Sequence, residues 1–157
     1  GVTLSVTPSA NDVDVPAQTL KFSLPTAPVN ATINTNTGVL LWRPLVTQAN
    51  SSNQFRVVVT DNGTPSLSAT QSFSVSVNAL QPPALSSLFA GGGQRVWQGN
   101  GDRGPDYQIQ SSTNLINWSA VFTTNSPPMP LVWTNNSSAP MNFFRVQVGP
   151  PLPEGAP

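Results

Sequence analysis

GVLLWRPLVTQANSSNQFRVVVTDNGTPSLSAT, residues 38 to 70, decides the fold. Within it, Phe55-Arg56-Val57-Val58-Val59 is a short run rich in β-branched residues. Asp61-Asn62-Gly63-Thr64-Pro65 then gathers turn-forming residues, and from Ser66 to Val77 apolar residues return at a spacing of two. Side chains two apart share one face of a strand, so the stretch reads as antiparallel strands joined by a polar turn whose oxygens could hold a cation.

Working outward, the first half predicts strands at about 2–7, 19–24, 31–34, 38–42, 54–60 and 69–78, separated by Pro, Asn and Gly clusters. The second half predicts them near 84–90, 94–98, 106–111, 118–123, 130–134 and 142–148. No segment sustains a helical period beyond about one turn. The expected fold is all-β, two small antiparallel β-sandwich domains in tandem: 1–80, a Pro-rich linker at 81–83, 84–149, and a Pro-rich tail at 150–157. Each half is small enough to lean on a neighbour, an ion or another subunit for part of its stability.

Composition removes several function classes. Charged residues make up 8% of the chain and the net charge is zero. The six basic residues are scattered from Lys21 to Arg145, so no basic stripe exists to neutralise phosphates and no nucleic-acid partner is expected. No apolar run approaches the roughly 20 residues that span a bilayer, so membrane insertion is not expected. With no cysteine, disulfides and thiolate metal sites cannot form. With no histidine, Ser-His-Asp and Cys-His nucleophile systems cannot be built. A carboxylate pair could still hydrolyse glycosides, but none of Asp12, Asp14, Asp61, Asp102, Asp106 and Glu154 lies in an apolar strand that would raise its pKa. No catalytic residue and no organic cofactor is expected. Gly1 does not open a signal peptide, so the chain reads as a mature product or a fragment of something longer.

The first half resembles a cadherin-type repeat, in the bacterial cadherin-like or "putative-Ig" (dystroglycan-type) variant of large secreted proteins. The residues that carry the resemblance are Asn11-Asp12-Val13-Asp14, Lys21-Phe22-Ser23-Leu24, Asn36 to Pro44 and Val59 to Thr70. It implies an Ig/cadherin-like sandwich, an extracellular or cell-surface bacterial setting, and a spacer or adhesion role. Such repeats usually begin with a strand ahead of the stretch matching Val2 to Val6, so the sandwich is expected to lack its first strand and to expose an edge and a groove over its core. The expected occupants are a segment of the same precursor, the chain's own Pro-rich end, or a neighbour's end added as a strand.

The same resemblance nominates Asp12, Asp14 and Asp61, with Asn11 as a further donor, as a calcium half-site at one pole. The family's acidic segment is replaced by Leu41-Trp42-Arg43-Pro44, and Val77 to Leu80 stands where an acidic linker would be, so at best half a site remains. The other reading makes Asp12 and Asp14 an Asx-type turn and Asp61 a turn residue. Asn100 to Asp106 lacks the helices and closing Glu of an EF-hand and reads as a solvated hairpin loop. The second half, through Tyr107 to Trp118 and Asn142 to Val146, resembles a module at the C-termini of secreted proteins of Verrucomicrobia-like bacteria, for which no chemistry is assigned.

Trp42 and Trp118 are expected in packing positions, as are Tyr107, Phe143 and Phe144, whereas Trp97 and Trp133 are the candidates for a glycan-binding face. Lys21, the sole lysine, is expected at the surface. These readings point to a non-catalytic extracellular structural or adhesive module, the subunit of a surface fibre assembled by strand donation. Its partners would be copies of itself or neighbouring domains. The alternative is an accessory spacer or glycan-binding pair from a secreted polysaccharide-degrading enzyme.

Overall fold

The computed structural model describes residues 2–89, 95–135 and 142–149. It is all-β, and its strands are Leu4–Val6 (β1), Lys21–Thr26 (β2), Thr32–Ile33 (β3), Leu40–Trp42 (β4), Ser51–Thr60 (β5) and Ser68–Val77 (β6), followed by Ala84–Phe89 (β7), Arg95–Asn100 (β8), Tyr107–Ser112 (β9), Ser119–Thr124 (β10), Leu131–Asn135 (β11) and Phe143–Val148 (β12). The only helical element among the described residues is a single 3₁₀ turn at Val46–Gln48. Two compact units form, the first from Thr3–Pro44 and Gln48–Ala79, the second chiefly from Leu80 onward.

The first unit pairs a β1-β4-β3 sheet with a β2-β5-β6 sheet, all antiparallel. Period-two alternation sends Phe55 and Val57 of β5 to the same side as Phe22 of β2, where they meet Leu40 and Trp42 of β4. Trp42 is 1% exposed, its ring edge-on to Phe55 at 5.3 Å, and its indole N–H donates to the Val29 carbonyl at 3.1 Å. Phe73 of β6 stacks on Phe55 at 5.1 Å. Between β3 and β4 the chain turns on Asn34, whose side-chain oxygen accepts from the Asn36 and Thr37 amides, and on Gly38 at φ 73°. A Cβ on Gly38 would lie 2.9 Å from the Phe22 ring, so both the left-handed backbone and the close approach call for glycine.

In the second unit the sheets are β11-β8-β7 and β10-β9-β12. Tyr107, Ile109 and Leu131 are buried between them, with Leu85, Phe122, Trp133, Phe144, Val146 and Val148 packed around. Phe144 takes Trp97 at 4.8 Å and Trp133 at 5.6 Å, so both rings serve the interior of this unit. Phe143 corrects an expectation: it is 36% exposed on the outer face of β12, because adjacent strand residues point to opposite faces and Phe144 takes the inner one.

The Asn100 to Asp106 loop is a second correction. Its second half is packed rather than solvated: Gly104, Pro105 and Asp106 are buried, Asp106 at 3% exposure, while Asn100 and Arg103 are exposed. An Asp106 carboxylate oxygen accepts from the Ser126 amide at 3.0 Å, the Asp106 carbonyl accepts from the Gly149 amide at 2.8 Å, and the Ser126 hydroxyl donates to the Gly104 carbonyl. Asp102 accepts the Gln81 amide at 2.6 Å on its carboxylate and the Tyr107 hydroxyl at 2.8 Å on its carbonyl. Burial and the nearby Asp102 charge push the Tyr107 phenol above its ordinary pKa.

Candidate binding edge and acidic pole

The β5–β6 hairpin positions everything at the candidate site. Its ladder runs unbroken through ten pairs, from Ser51 opposite Val77 to Thr60 opposite Ser68, with no bulge. β6 is the last strand of its sheet, so among the described residues its outer edge has no strand partner. Its sequence, SATQSFSVSV, contains no charged residue and no proline. Phe73, Val75 and Val77 pack into the core, while Ala69 and Gln71, on the same face but nearer the hairpin turn, are exposed. Ser68, Thr70, Ser72, Ser74 and Ser76 occupy the opposite face.

Natural sheets blunt their edges with charge, proline, bulges or short length. Four three-stranded sheets give eight edge strands among the described residues. β1 and β3 have three and two residues. β2 carries Lys21 and Pro25, and its register breaks between Ser23 and Thr26. β10 is broken between Ala120 and Phe122, β12 carries Arg145, and β7 and β11 are short and follow Pro83 and Pro130. β6 alone is long, regular and without any of these guards.

A groove of about 610 Å³ opens beside the turn end of β6, lined by the Pro8–Asp14 loop, Phe22, Val57, Val59 and Leu67 to Gln71. Asp12, Asp14 and Asp61 all line it. The structure thus brings the three nominated acids to one groove, though among the described residues no three His, Cys, Asp or Glu side chains gather closely enough to hold a metal ion. Their oxygens hold turns. Asp12 Oδ1 accepts the Asp14 amide at 2.8 Å, and Asp14 Oδ2 accepts from Gln18 Nε2 at 3.1 Å. Asp61 Oδ1 accepts the Gly63 amide at 3.0 Å and the Leu67 amide at 2.9 Å. The Leu67 and Gly63 amides hold the Asp61 carboxyl below its usual range against an opposing effect of burial, with the Ser66 hydroxyl adding least.

Asn62 ties the two loops together, its side-chain oxygen accepting the Thr19 amide at 2.7 Å. Gln18 Oε1 is buried there without a hydrogen-bond partner, and a Cβ on Gly63 would collide with it. The sequence offered no signal for Gln18, whose contact with Gly63 spans 45 positions. Lys21 is exposed and donates to Asn36 Oδ1 at 2.5 Å, as a surface lysine does. Trp118 is half-buried with the Arg145 guanidinium 4.2 Å above its ring, and that guanidinium also donates to Gln110 Oε1 at 2.7 Å. No helix among the described residues is long and apolar enough to cross a membrane. The Pro-rich tail, 150–157, lies outside the described residues.

The family model described as "Putative Ig domain" matches residues 1–78. No curated protein and no solved structure matches the chain. The family match ends before the second unit, so the resemblance of residues 84–149 to a secreted C-terminal module gains no support from these comparisons.

Proposed function

With residues 1–78 belonging to the Ig-like family described as "Putative Ig domain", we propose that the protein is a non-catalytic extracellular structural or adhesive module, part of a surface fibre or stalk, that joins a neighbour by strand addition. The observation that carries this reading is the ten-residue, uncharged, unbulged edge of β6. An added strand satisfies the main-chain donors and acceptors along such an edge, and alternate side chains fix its register and face. The whole sequence lacks histidine and cysteine, which removes the commonest nucleophile systems.

The indole rings favour this reading over a glycan-binding one. Sugar stacking needs an open aromatic face, whereas Trp42 is buried, Trp97 and Trp133 pack on Phe144, and Trp118 carries Arg145. The acidic pole enters as a set of turns rather than an ion site, so a calcium chelator is expected to leave assembly unchanged.

The test is sizing of the purified chain over a hundredfold concentration range, with and without chelator, alongside electron microscopy. Growth in mass with concentration supports the reading. A particle that stays at 16.5 kDa throughout overturns self-assembly and moves the function to a passive spacer within a longer secreted chain.

A further inference from the structure

We infer that the occupant of the β6 edge is β6 of a second copy, paired antiparallel about a two-fold axis at Phe73. The inference rests on the reading of β6 as an assembly edge and adds to it the partner, the orientation and the register.

Face parity narrows the registers first. In an antiparallel pair, opposed residues point to the same side of the sheet, so Ala69, Gln71, Phe73, Val75 and Val77 must oppose one another and the Ser/Thr set must oppose itself. Slipping by one residue would set every serine of one copy against an apolar side chain of the other. An axis at Phe73 meets the condition over nine residues. On the apolar face it sets Phe73 against Phe73, Ala69 against Val77 and Gln71 against Val75. On the other face Thr70 meets Ser76 and Ser72 meets Ser74. Aromatic pairs and Ser/Thr pairs are the cross-strand combinations that stabilise sheets. An axis at Ser72 also keeps parity but sets Gln71 against Phe73 and loses the aromatic pair.

Three further features favour a second copy. β6 carries no charge, so two copies meet without like-charge repulsion. Nine opposed residues exchange about nine main-chain hydrogen bonds, close to the ~10 of a typical stable interface. Val77 and Val75 of the second copy come beside Ala69 and Gln71, the two exposed inner-face residues that line the groove. The product is one six-stranded sheet, β2-β5-β6 followed by β6-β5-β2 of the partner. Such a pair is isologous and closes on itself, so it links two stalks side by side rather than propagating a filament.

Because the chain has no cysteine, single-cysteine variants report the register directly. Full-length S72C and S74C are purified separately, mixed, and oxidised, and disulfide dimers are read by mass. Only the mixture is expected to cross-link, since residue 72 opposes 74 while like residues sit on the ~7–8 Å diagonal, beyond disulfide reach. S72C cross-linking to itself would move the axis to Ser72 and overturn the register. A mass of about twice 16.5 kDa with no cross-link in any combination would place the contact elsewhere on the surface, overturning this inference while self-assembly stands. A strictly monomeric chain overturns both. The second variant, T70K/S76K, sets lysines opposite lysines across the axis on the solvent face, where each sits opposite an uncharged residue of β5, Val58 or Ser52. It is expected to weaken dimerisation at least tenfold, and an unchanged dissociation constant refutes the pairing.

Discussion

Replacing Trp42 by phenylalanine should lower the stability of the first unit by about 2 kcal/mol, and two parts of the structure supply that figure. The indole N–H donates to the Val29 carbonyl at 3.1 Å, and a phenyl ring removes that bond, a loss of ~1 kcal/mol. The smaller ring also leaves a void at a site 1% exposed, wedged against Phe55, and a residual cavity of this kind costs a further ~1 kcal/mol. Trp42→Ala deletes the whole ring and should cost ~3–5 kcal/mol. A domain of this size is stable by only ~4–12 kcal/mol, so the alanine variant approaches unfolding while the phenylalanine variant stays folded. The assay is hydrogen exchange, read on peptides spanning β5, whose amides report the opening of this core. A loss of ~2 kcal/mol appears as about 30-fold faster exchange. Acceleration under threefold in Trp42→Phe, with β5 still the most protected segment of the first unit, would refute the assignment of Trp42 as the keystone of this sandwich.

Three other perturbations follow from the same geometry. Gly38→Ala forces a Cβ onto the Phe22 ring at a left-handed backbone and should destabilise the first unit by ~1–3 kcal/mol, read as a lower denaturant midpoint. Asp61 has a folded-state pKa below its unfolded value, so its contribution is fully present above about pH 4 and is lost as pH falls through the folded pKa. Asp61→Asn should therefore flatten the acid limb of stability between pH 5 and pH 2, and an unchanged limb refutes it. Tyr107 is shifted the other way: its raised phenol pKa gives stability that is present below about pH 10 and lost as pH rises through the folded pKa. Tyr107→Phe should lose ~1 kcal/mol at neutral pH with the bond to Asp102 and become insensitive to alkali in a melting series from pH 8 to pH 11.

The strands were legible because their signal is local. Alternation in Phe55 to Val59 and the Asp-Asn-Gly-Thr-Pro turn after it require nothing from the rest of the chain, and the hairpin forms where they place it. What sequence reading missed depends on partners far away along the chain. Asp106 sits in a Gly, Asp, Arg and Pro run that reads as a wet loop, yet Ser126, twenty positions on, supplies an amide to its carboxylate and Gly104 to Asp106 are buried. The acids of the pole were found, but not their partners: Asp61 takes the Leu67 amide six residues on, across a turn whose closure the sequence leaves open. Phe143 was misread for a local reason. Two adjacent phenylalanines on one strand cannot both face the core, and Arg145, Val146 and Gln147 after them already decide which one does.

The two edges of the β2-β5-β6 sheet argue for assembly more strongly than either does alone. β2 has a lysine, a proline and a broken register, three devices that stop a strand from adding there. β6, two strands away in the same sheet, has none of them over ten residues. A single lysine on the solvent face of β6 would suffice to guard it, and five of its ten positions are serine or threonine on that face, where the substitution costs the fold little. Guarding one edge and leaving the other bare is the pattern expected of a sheet that is covered on one side only in its working state. On the proposed pairing the serine face would have a role of its own: Ser and Thr hydroxyls pair across a joint without a charge to repel the partner and without an apolar surface to aggregate when the partner is absent. Substituting Val75 and Val77 would disturb the core and say nothing about the joint, whereas T70K/S76K changes the joint alone, so it is on the serine face that the assembly reading stands or falls.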